Sequence, residues 1–406
     1  MLAATVTAVS ILFLLEAWRF HRWLSRAIGG VAWPLTLDSY PSVTVVRPIK
    51  GLDAGARENI AAAFDTGYPG PVELLFVFDD ESEPALPLVR EAIEAHRANP
   101  RAPSARVLFS GDPPAGRTGK LHAMIAGLHE ARHELIAFAD SDIRPDRRAL
   151  TLLVETLMAA PEVGSAFAPV VVPIEARTVG DAGYSLLLNG LYGPAAAAAT
   201  LKNGGELPFI MGQFMIFKRR AIAAIGGLES AEGQLVDDMY LGARIKAAGL
   251  RNRVSPHSVP IIQEGLPLGE FWKTYLRWIT FSRSGLPGRS FKWSSWMHGI
   301  SFWSGLVCAV LALVTGHPIA AALAALVPLG VSASINRLHR KLGGAPLGVR
   351  FSWVAVALLL VAPIVMLSAL LRRRVEWRGR SYSLDAGARL ATGQVVRSDD
   401  PSPRAA

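Results

Sequence analysis

Cysteine is almost missing from this chain: Cys308 is the only one in 406 residues. No intramolecular disulfide can form and no cysteine cage can hold zinc, which fits a reducing compartment. Two glycine signatures are also absent. No GxGxxG follows the first apolar strand, and no GxxxxGK[ST] occurs anywhere. AGRTGK at 115–120 has the wrong spacing and no Ser or Thr after Lys120. These absences weigh against a dinucleotide-binding Rossmann protein and against a P-loop ATPase. There is no zinc finger and no basic helix interleaved with aromatics, so nothing points to nucleic acid as a partner.

Charge is scarce in four stretches, and these hold the chain's excess of apolar residues, which make up 51% of it. Residues 1–20 read as a transmembrane anchor. Residues 294–314, 318–334 and 351–371 approach the roughly 20 residues needed to cross hydrocarbon, the middle one falling short. TGHP at 315–318 makes the first two a hairpin. The net charge of +9 gathers beside these runs, at Arg19, Arg22 and Arg26, at Arg337, Arg340 and Lys341, and at Arg372, Arg373 and Arg374. Such clusters suit anionic headgroups. Positive charge after the first run, rather than before it, predicts an uncleaved anchor with its N-terminus outside and the following domain in the cytoplasm. Four crossings would then leave the basic segment after 371 outside, against the positive-inside rule.

Residues 40–265 read as a globular α/β unit. Short apolar strands are expected at 42–49, 72–80, 105–110 and 133–142, with helices at 56–64, 84–96 and 119–131 between them. Apolar strands alternating with helices predict a doubly wound sheet buried on both faces. Such sheets bind ligands beyond the C-terminal ends of their strands. Asp79 and Asp80 follow the second strand, Asp140-Ser141-Asp142 the fourth, and Asp237-Asp238 open a helix. Each could equally be a helix cap or dipole partner. Arg277-Trp278 lie in 266–293, which mixes Phe, Trp and Leu with Arg and Lys as interfacial helices do; they could also be a simple anchor.

Taken in this order, the motifs carry a resemblance. RPIKGLDAGARENI, DTGYPGPVELLFVFDDESEPA, FADSDIRPD, GQFMIFKRRAIAAIGGLE, VDDMYLGARIKAAG, LRW and VEWRGRSYSL resemble the membrane-integrated family-2 glycosyltransferases of GT-A fold, within them the ceramide glucosyltransferases and their bacterial relatives. The resemblance spans about 43–384. It implies an integral membrane protein of a bacterial inner membrane, with a cytoplasmic GT-A (Rossmann-like) domain, one N-terminal and about three C-terminal transmembrane helices.

It also implies roles. Asp79 would contact the nucleoside of a UDP-sugar donor, and Asp140 and Asp142 would hold its diphosphate through Mg²⁺ or Mn²⁺, cations that favour carboxylate oxygen. Lys120 would support nucleotide binding. Asp238 would be the general base for a membrane-lipid hydroxyl, with Asp237 beside it, and Gly212 and Gln213 would lie near the sugar. Arg277 and Trp278 match the end of the (Q/R)xxRW motif, where Arg277 would stabilise the leaving diphosphate. Thr274 stands where Gln or Arg is expected. His122 reads as a surface or packing residue. The implied reaction is inverting transfer of glucose from UDP-glucose to a lipid such as ceramide. Alternatives are a hopanoid-type or other glycolipid N-acetylglucosaminyl- or hexosyltransferase, and a membrane scaffold with a degenerate transferase domain. The tail, 372–406, is expected to be basic and then disordered from about 393.

Overall fold

The alternating apolar runs become strands and the segments between them helices. The computed structural model describes residues 1–30, 36–285, 289–385, 389–391 and 396–397. After α1 (Leu2–Ala27) come β1 (Val43–Pro48), α2 (Ala56–Phe64), β2 (Val72–Phe78), α3 (Leu86–His96), β3 (Ser104–Phe109), α4 (Gly119–Glu130), β4 (Leu135–Ala139) and α5 (Ala149–Met158). β5 (Val163–Phe167) and β6 (Val170–Val171) lead to α6 (Val179–Ser185), a π-helical segment (Leu186–Tyr192) and α7 (Gly193–Lys202). β7 (Phe214–Lys218), α8 (Arg219–Ala224), α9 (Asp237–Ala247), β8 (Arg251–Val254) and β9 (Val259–Pro260) complete the domain. Beyond it lie α10 (Leu268–Gly285), α11 (Arg289–Val314), α12 (Pro318–Lys341), α13 (Val354–Leu371), β10 (Arg374–Trp377), β11 (Arg380–Ser383) and β12 (Val396–Arg397).

The main sheet runs β3-β2-β1-β4-β7-β5-β8. Its first four strands are parallel, while β7 is antiparallel to both neighbours. The sheet is therefore mixed, a doubly wound α/β sheet with one reversed strand. Side chains alternate between two cores, as a strand's period of two requires. Leu74, Phe76 and Phe78 of β2 join α2, α3 and α5 in one core. Leu75 and Val77 join α4, α8 and α9 in the other. Burial on both faces explains why these strands are continuous apolar runs. It also leaves the C-terminal edge of β1, β2 and β4 as the place where polar side chains collect.

Between β6 and β7 the chain makes a detour that its composition does not announce. Asn189 in the π-helical segment donates Nδ2 to the Val172 carbonyl at 2.8 Å and accepts the Val172 N–H at 3.0 Å. The same segment packs on α12, and α7 packs on α1. Asp181 joins this detour to α10. Its carboxylate accepts N–H bonds from Arg177 and Thr178 at 3.0 Å, Gly265 at 3.1 Å and Leu266 at 2.8 Å. Thr178 completes a capping box at the start of α6.

Among the described residues, four helices are long and apolar enough to cross a membrane: α1, α11 from Trp296, α12, and Val349–Leu371 around α13. The middle segment is longer than expected, because the helix continues to Lys341. His339, Arg340 and Lys341 fill its last turn, where the helix dipole favours cations. The tail departs from expectation too. Residues 374–383 form an antiparallel hairpin, and Val396–Arg397 pair with β11; residues 393–395 and 398–406 lie outside the described residues.

Asp181→Ala removes a buried acceptor shared by backbone donors from two segments, the starts of α6 and α10. Charge-assisted bonds of this kind contribute about 1.5–3 kcal/mol each. A loss of more than about 3 kcal/mol is expected, read as a lowered unfolding temperature in detergent, with Asp181→Asn intermediate.

Candidate active site

The acids singled out in the sequence converge at the C-terminal edge of the sheet, and all but Asp80 lie beside a cation of the chain. Asp79 ends β2, buried. Its Oδ2 lies 2.7 Å from Lys50 Nζ and 2.6 Å from Arg380 Nη2. Lys50 also pairs with Glu83, and Arg380 reaches Asp112 at 3.1 Å. Asp80 turns away and accepts the Ser82 N–H at 2.8 Å.

Asp140, at the end of β4, pairs with Lys120 of α4 at 2.5 Å. Lys120 also donates to the Gly212 carbonyl at 3.0 Å, and the Gly212 N–H donates to Asp238 Oδ2 at 2.6 Å. The Asp140 N–H donates to the Gln213 carbonyl at 2.8 Å. One network thus joins Asp140, Lys120, Gly212, Gln213 and Asp238. Gly212 is glycine for a packing reason: a Cβ there would sit 2.7 Å from Asp238 Oδ2. Burial opposes the Lys120 charge, but Asp140, Asp237 and Asp238 outweigh it and hold its pKa above the usual lysine value.

The Asp140-Ser141-Asp142 turn is held from below by Arg47, a buried arginine within the apolar strand β1. Its guanidinium donates to the carbonyls of Asn59 at 3.1 Å, Asp140 at 2.9 Å and Ile143 at 3.2 Å. Burial lowers the Arg47 pKa to about 10, still high enough to keep it charged. Ser141 Oγ donates to Asp53 at 2.5 Å. Asp53 also pairs with Arg378, which stands 3.8 Å from Asp142 Oδ2. Burial, then the charges of Asp53 and Asp140, push the Asp142 carboxyl up to about 6.

Asp237 and Asp238 open α9, where the N-terminal dipole favours negative charge. Asp237 is buried and Asp238 half-buried. Burial raises the pKa of both, and Asp237 adds to the effect on Asp238, which reaches about 7. Three acceptors at this edge are buried without a hydrogen-bond partner among the described residues: Asp142 Oδ1, Gln213 Oε1 and Asp237 Oδ2. Orphaned acceptors ask for a cation or for hydroxyl donors. Among the described residues no group of three or more His, Cys, Asp or Glu converges as a metal cage. A cation here would rest on Asp140 and Asp142 with a ligand's own oxygens, the mode Mg²⁺ commonly adopts with phosphates.

Arg277 and Trp278 sit on α10. Arg277 lies 5.9 Å from the ring centroid of Trp377 on β10. Trp278 packs on Tyr184 at 5.1 Å and on Tyr192 at 5.8 Å. Thr274 is half-buried on the same helix. His122 Nε2 donates to the Ser110 carbonyl, 2.9 Å away, as a packing residue would.

Sequence reading missed Arg47, Lys50, Asp53, Arg378 and Arg380. A lone arginine inside TVVRPI was a legible signal. Arg378 and Arg380 read instead as tail charge. Tyr382, from the same hairpin, accepts the Gly119 N–H at 3.1 Å, at the start of α4.

A mixed sheet of this order, with acids at the ends of β2 and β4 and at the start of α9, is that of a GT-A glycosyltransferase. A mannosyltransferase from Pyrobaculum calidifontis, solved with GDP-mannose and Mn²⁺, superposes with a TM-score of 0.54 at 20% identity, covering 90% of this chain and 98% of that one. The chain belongs to glycosyl transferase family 21, whose model matches residues 4–390. Ceramide glucosyltransferase 1 of Caenorhabditis elegans is 25% identical over 283 residues, 69% of this chain and 57% of that protein. Ceramide glucosyltransferase 3 of the same organism is 22% identical over 372 residues, 87% and 75% of the two chains. A probable glycosyltransferase of Bacillus subtilis, YdaM, is 23% identical over 273 residues, 66% of this chain and 61% of that one.

Lys120→Met would leave Asp140, Asp237 and Asp238 without their shared cation. Breaking a fully buried pair in this way costs about 3–5 kcal/mol, and this half-buried one should cost less. A carboxyl whose folded pKa exceeds its unfolded value near 4 stabilises the fold at low pH and loses that stability as pH rises through the folded value. Removing the lysine raises the folded values of Asp237 and Asp238 further. The drop in unfolding temperature should therefore be larger at pH 8 than at pH 6; an equal drop at both would contradict this charge balance.

Proposed function

We propose that this protein transfers glucose from UDP-glucose to the hydroxyl of a membrane lipid such as ceramide, with inversion at the anomeric carbon. The observation that carries the reading is the set of orphaned acceptors, Asp142 Oδ1, Gln213 Oε1 and Asp237 Oδ2, on one edge of a GT-A sheet. Family membership supports sugar transfer. The ceramide glucosyltransferases among the relatives favour a lipid acceptor, and the four apolar helices set the domain beside a bilayer.

In this reading Asp79 and the Lys50–Arg380 pair around it receive the nucleoside end of the donor. Asp140 and Asp142 would hold a divalent cation, Mg²⁺ or Mn²⁺, which when bound neutralises the charge developing on the diphosphate. Arg378, now between Asp53 and Asp142, is within reach of the same phosphates, and Arg277 adds a second guanidinium from α10. Asp238 takes the proton of the acceptor hydroxyl as its oxygen bonds to C1 and the C1–O bond to UDP breaks. Gly212 orients Asp238 through its N–H. Trp278, Tyr184 and Tyr192 offer an aromatic wall on the membrane side, where a lipid would enter.

The experiment is a panel of radiolabelled UDP-sugars incubated with purified protein and membrane lipid extract. Labelled lipid is expected from UDP-glucose with Mg²⁺ or Mn²⁺ and not in chelator; full activity in chelator removes the cation from the account. Asp238→Asn should lower kcat/KM by about 10²–10⁴ while nucleotide binding stays unchanged. A base must be deprotonated, so kcat/KM of the native enzyme should rise with pH through about 7, and the variant should lose that limb. Arg380→Ala leaves Asp79 with Lys50 alone. The donor KM should rise by about tenfold or more, the loss of one charge-assisted bond, with the acceptor KM unmoved.

A further inference from the structure

The most apolar of the four long helices, around α13, has both ends on the same side of the molecule. α12 returns to the level of the catalytic domain: His339 approaches Asn189 at 3.3 Å, and Lys341 Nζ donates to the Ser25 carbonyl in the last turn of α1 at 2.6 Å. The chain does not leave that level at once, because His339 Nε2 bonds the Ala345 carbonyl at 2.8 Å. Val349 follows Ala345 by only four residue steps, a reach of about 14 Å when fully extended. Phe351, Val354 and Ala355 are then buried in the core that also holds α6 and α10.

The far end is tied down as firmly. Arg283 of α10 donates to the carbonyls of Ala369 and Leu370 at 3.0 and 2.9 Å, two of the last acceptors of α13. Val375, four residues beyond Leu371, is buried with Leu235 and Val236 beside α9. In its middle, Pro363 cannot donate to the Leu359 carbonyl, and the Trp303 indole of α11 supplies that bond at 2.9 Å. Crossing the hydrocarbon core needs ends about 30 Å apart on opposite sides; these ends both return to the catalytic domain.

We infer that α13 does not cross the bilayer but lies in the leaflet facing the catalytic domain, its outer stripe of Leu360, Ile364, Leu367 and Leu371 seated against acyl chains. The occupant of this surface is lipid because the surface is continuous with the α11–α12 membrane hairpin, on which α13 packs. Charge agrees. Arg340 and Lys341 before it and Arg372, Arg373 and Arg374 after it then share one face, where anionic headgroups attract them. The basic tail meets the positive-inside rule, and the hairpin bearing Arg378 and Arg380 reaches Asp53 and Asp79 without passing through the membrane.

The test uses a Cys308→Ser background, which leaves no other cysteine, with single changes Thr315→Cys, Gly348→Cys and Glu376→Cys. Sealed membrane vesicles are treated with an impermeant maleimide, before and after detergent. Gly348→Cys and Glu376→Cys should be labelled from one side and Thr315→Cys from the other. Labelling of Gly348→Cys and Glu376→Cys from opposite sides overturns the inference. A second measurement holds if one variant folds poorly. Nitroxides placed singly at Leu360, Ile364, Leu367 and Leu371 should report nearly equal depth. A crossing helix would instead give a gradient of about 1.5 Å per residue, and that result also overturns it.

Discussion

The site depends on one ion pair, Lys120 with Asp140 at 2.5 Å. Carboxylates crowded at a sheet edge and partly removed from water repel one another and resist ionisation. Lys120 offsets that for Asp140, Asp237 and Asp238 together. Through the Gly212 carbonyl it also fixes the loop before β7, and through the Gly212 N–H that loop fixes Asp238. The end of β4, the start of α4, the 212–213 loop and the start of α9 thus share one charge balance. Arg47 does the equivalent beneath the turn, and Arg378 and Arg380 above it. On the proposed reading, a donor diphosphate would bring more negative charge to the same edge, where Lys120, Arg378 and Arg380 already stand.

Much of this was legible in the sequence, and what was not has a physical cause. The first four strands and three of the helices between them follow from local apolar periodicity, so Asp79 and Asp140 could be set at strand ends in advance. The antiparallel β7 was not foreseen, because strand direction depends on the whole connection and not on the strand's own residues. Arg378 and Arg380 were missed for a related reason. Arg380 meets Asp79 across 301 residues of chain, and no local pattern distinguishes a guanidinium entering a site from one facing headgroups. Asp181 and Asn189 act on backbone groups, which the sequence does not display. The length of α12 was underestimated because the basic residues of NRLHRK looked like a loop, whereas a helix C-terminus accommodates them.

The membrane part and the catalytic part are one structure. α10 carries Arg277 and Trp278, packs on the π-helical segment through Trp278, and meets the hairpin through Trp377. The detour from α6 to α7 touches both the sheet, through Val172, and the membrane helices α1 and α12. An acceptor arriving from the bilayer would therefore meet groups already braced against the acids. Family membership gives the class of chemistry; this bracing is what would let a lipid hydroxyl reach Asp238.

On the proposed reading, Asp140 and Asp142 would hold a divalent cation only together with a donor diphosphate, because no group of three or more His, Cys, Asp or Glu converges as a metal cage among the described residues. Electron paramagnetic resonance of free Mn²⁺ tests this directly in the purified protein. With UDP present the free-ion signal should fall by one equivalent per chain; without UDP, or with UDP and the Asp142→Ala variant, it should stay near that of buffer. Tight Mn²⁺ binding without nucleotide, or binding undiminished in Asp142→Ala, would contradict the account.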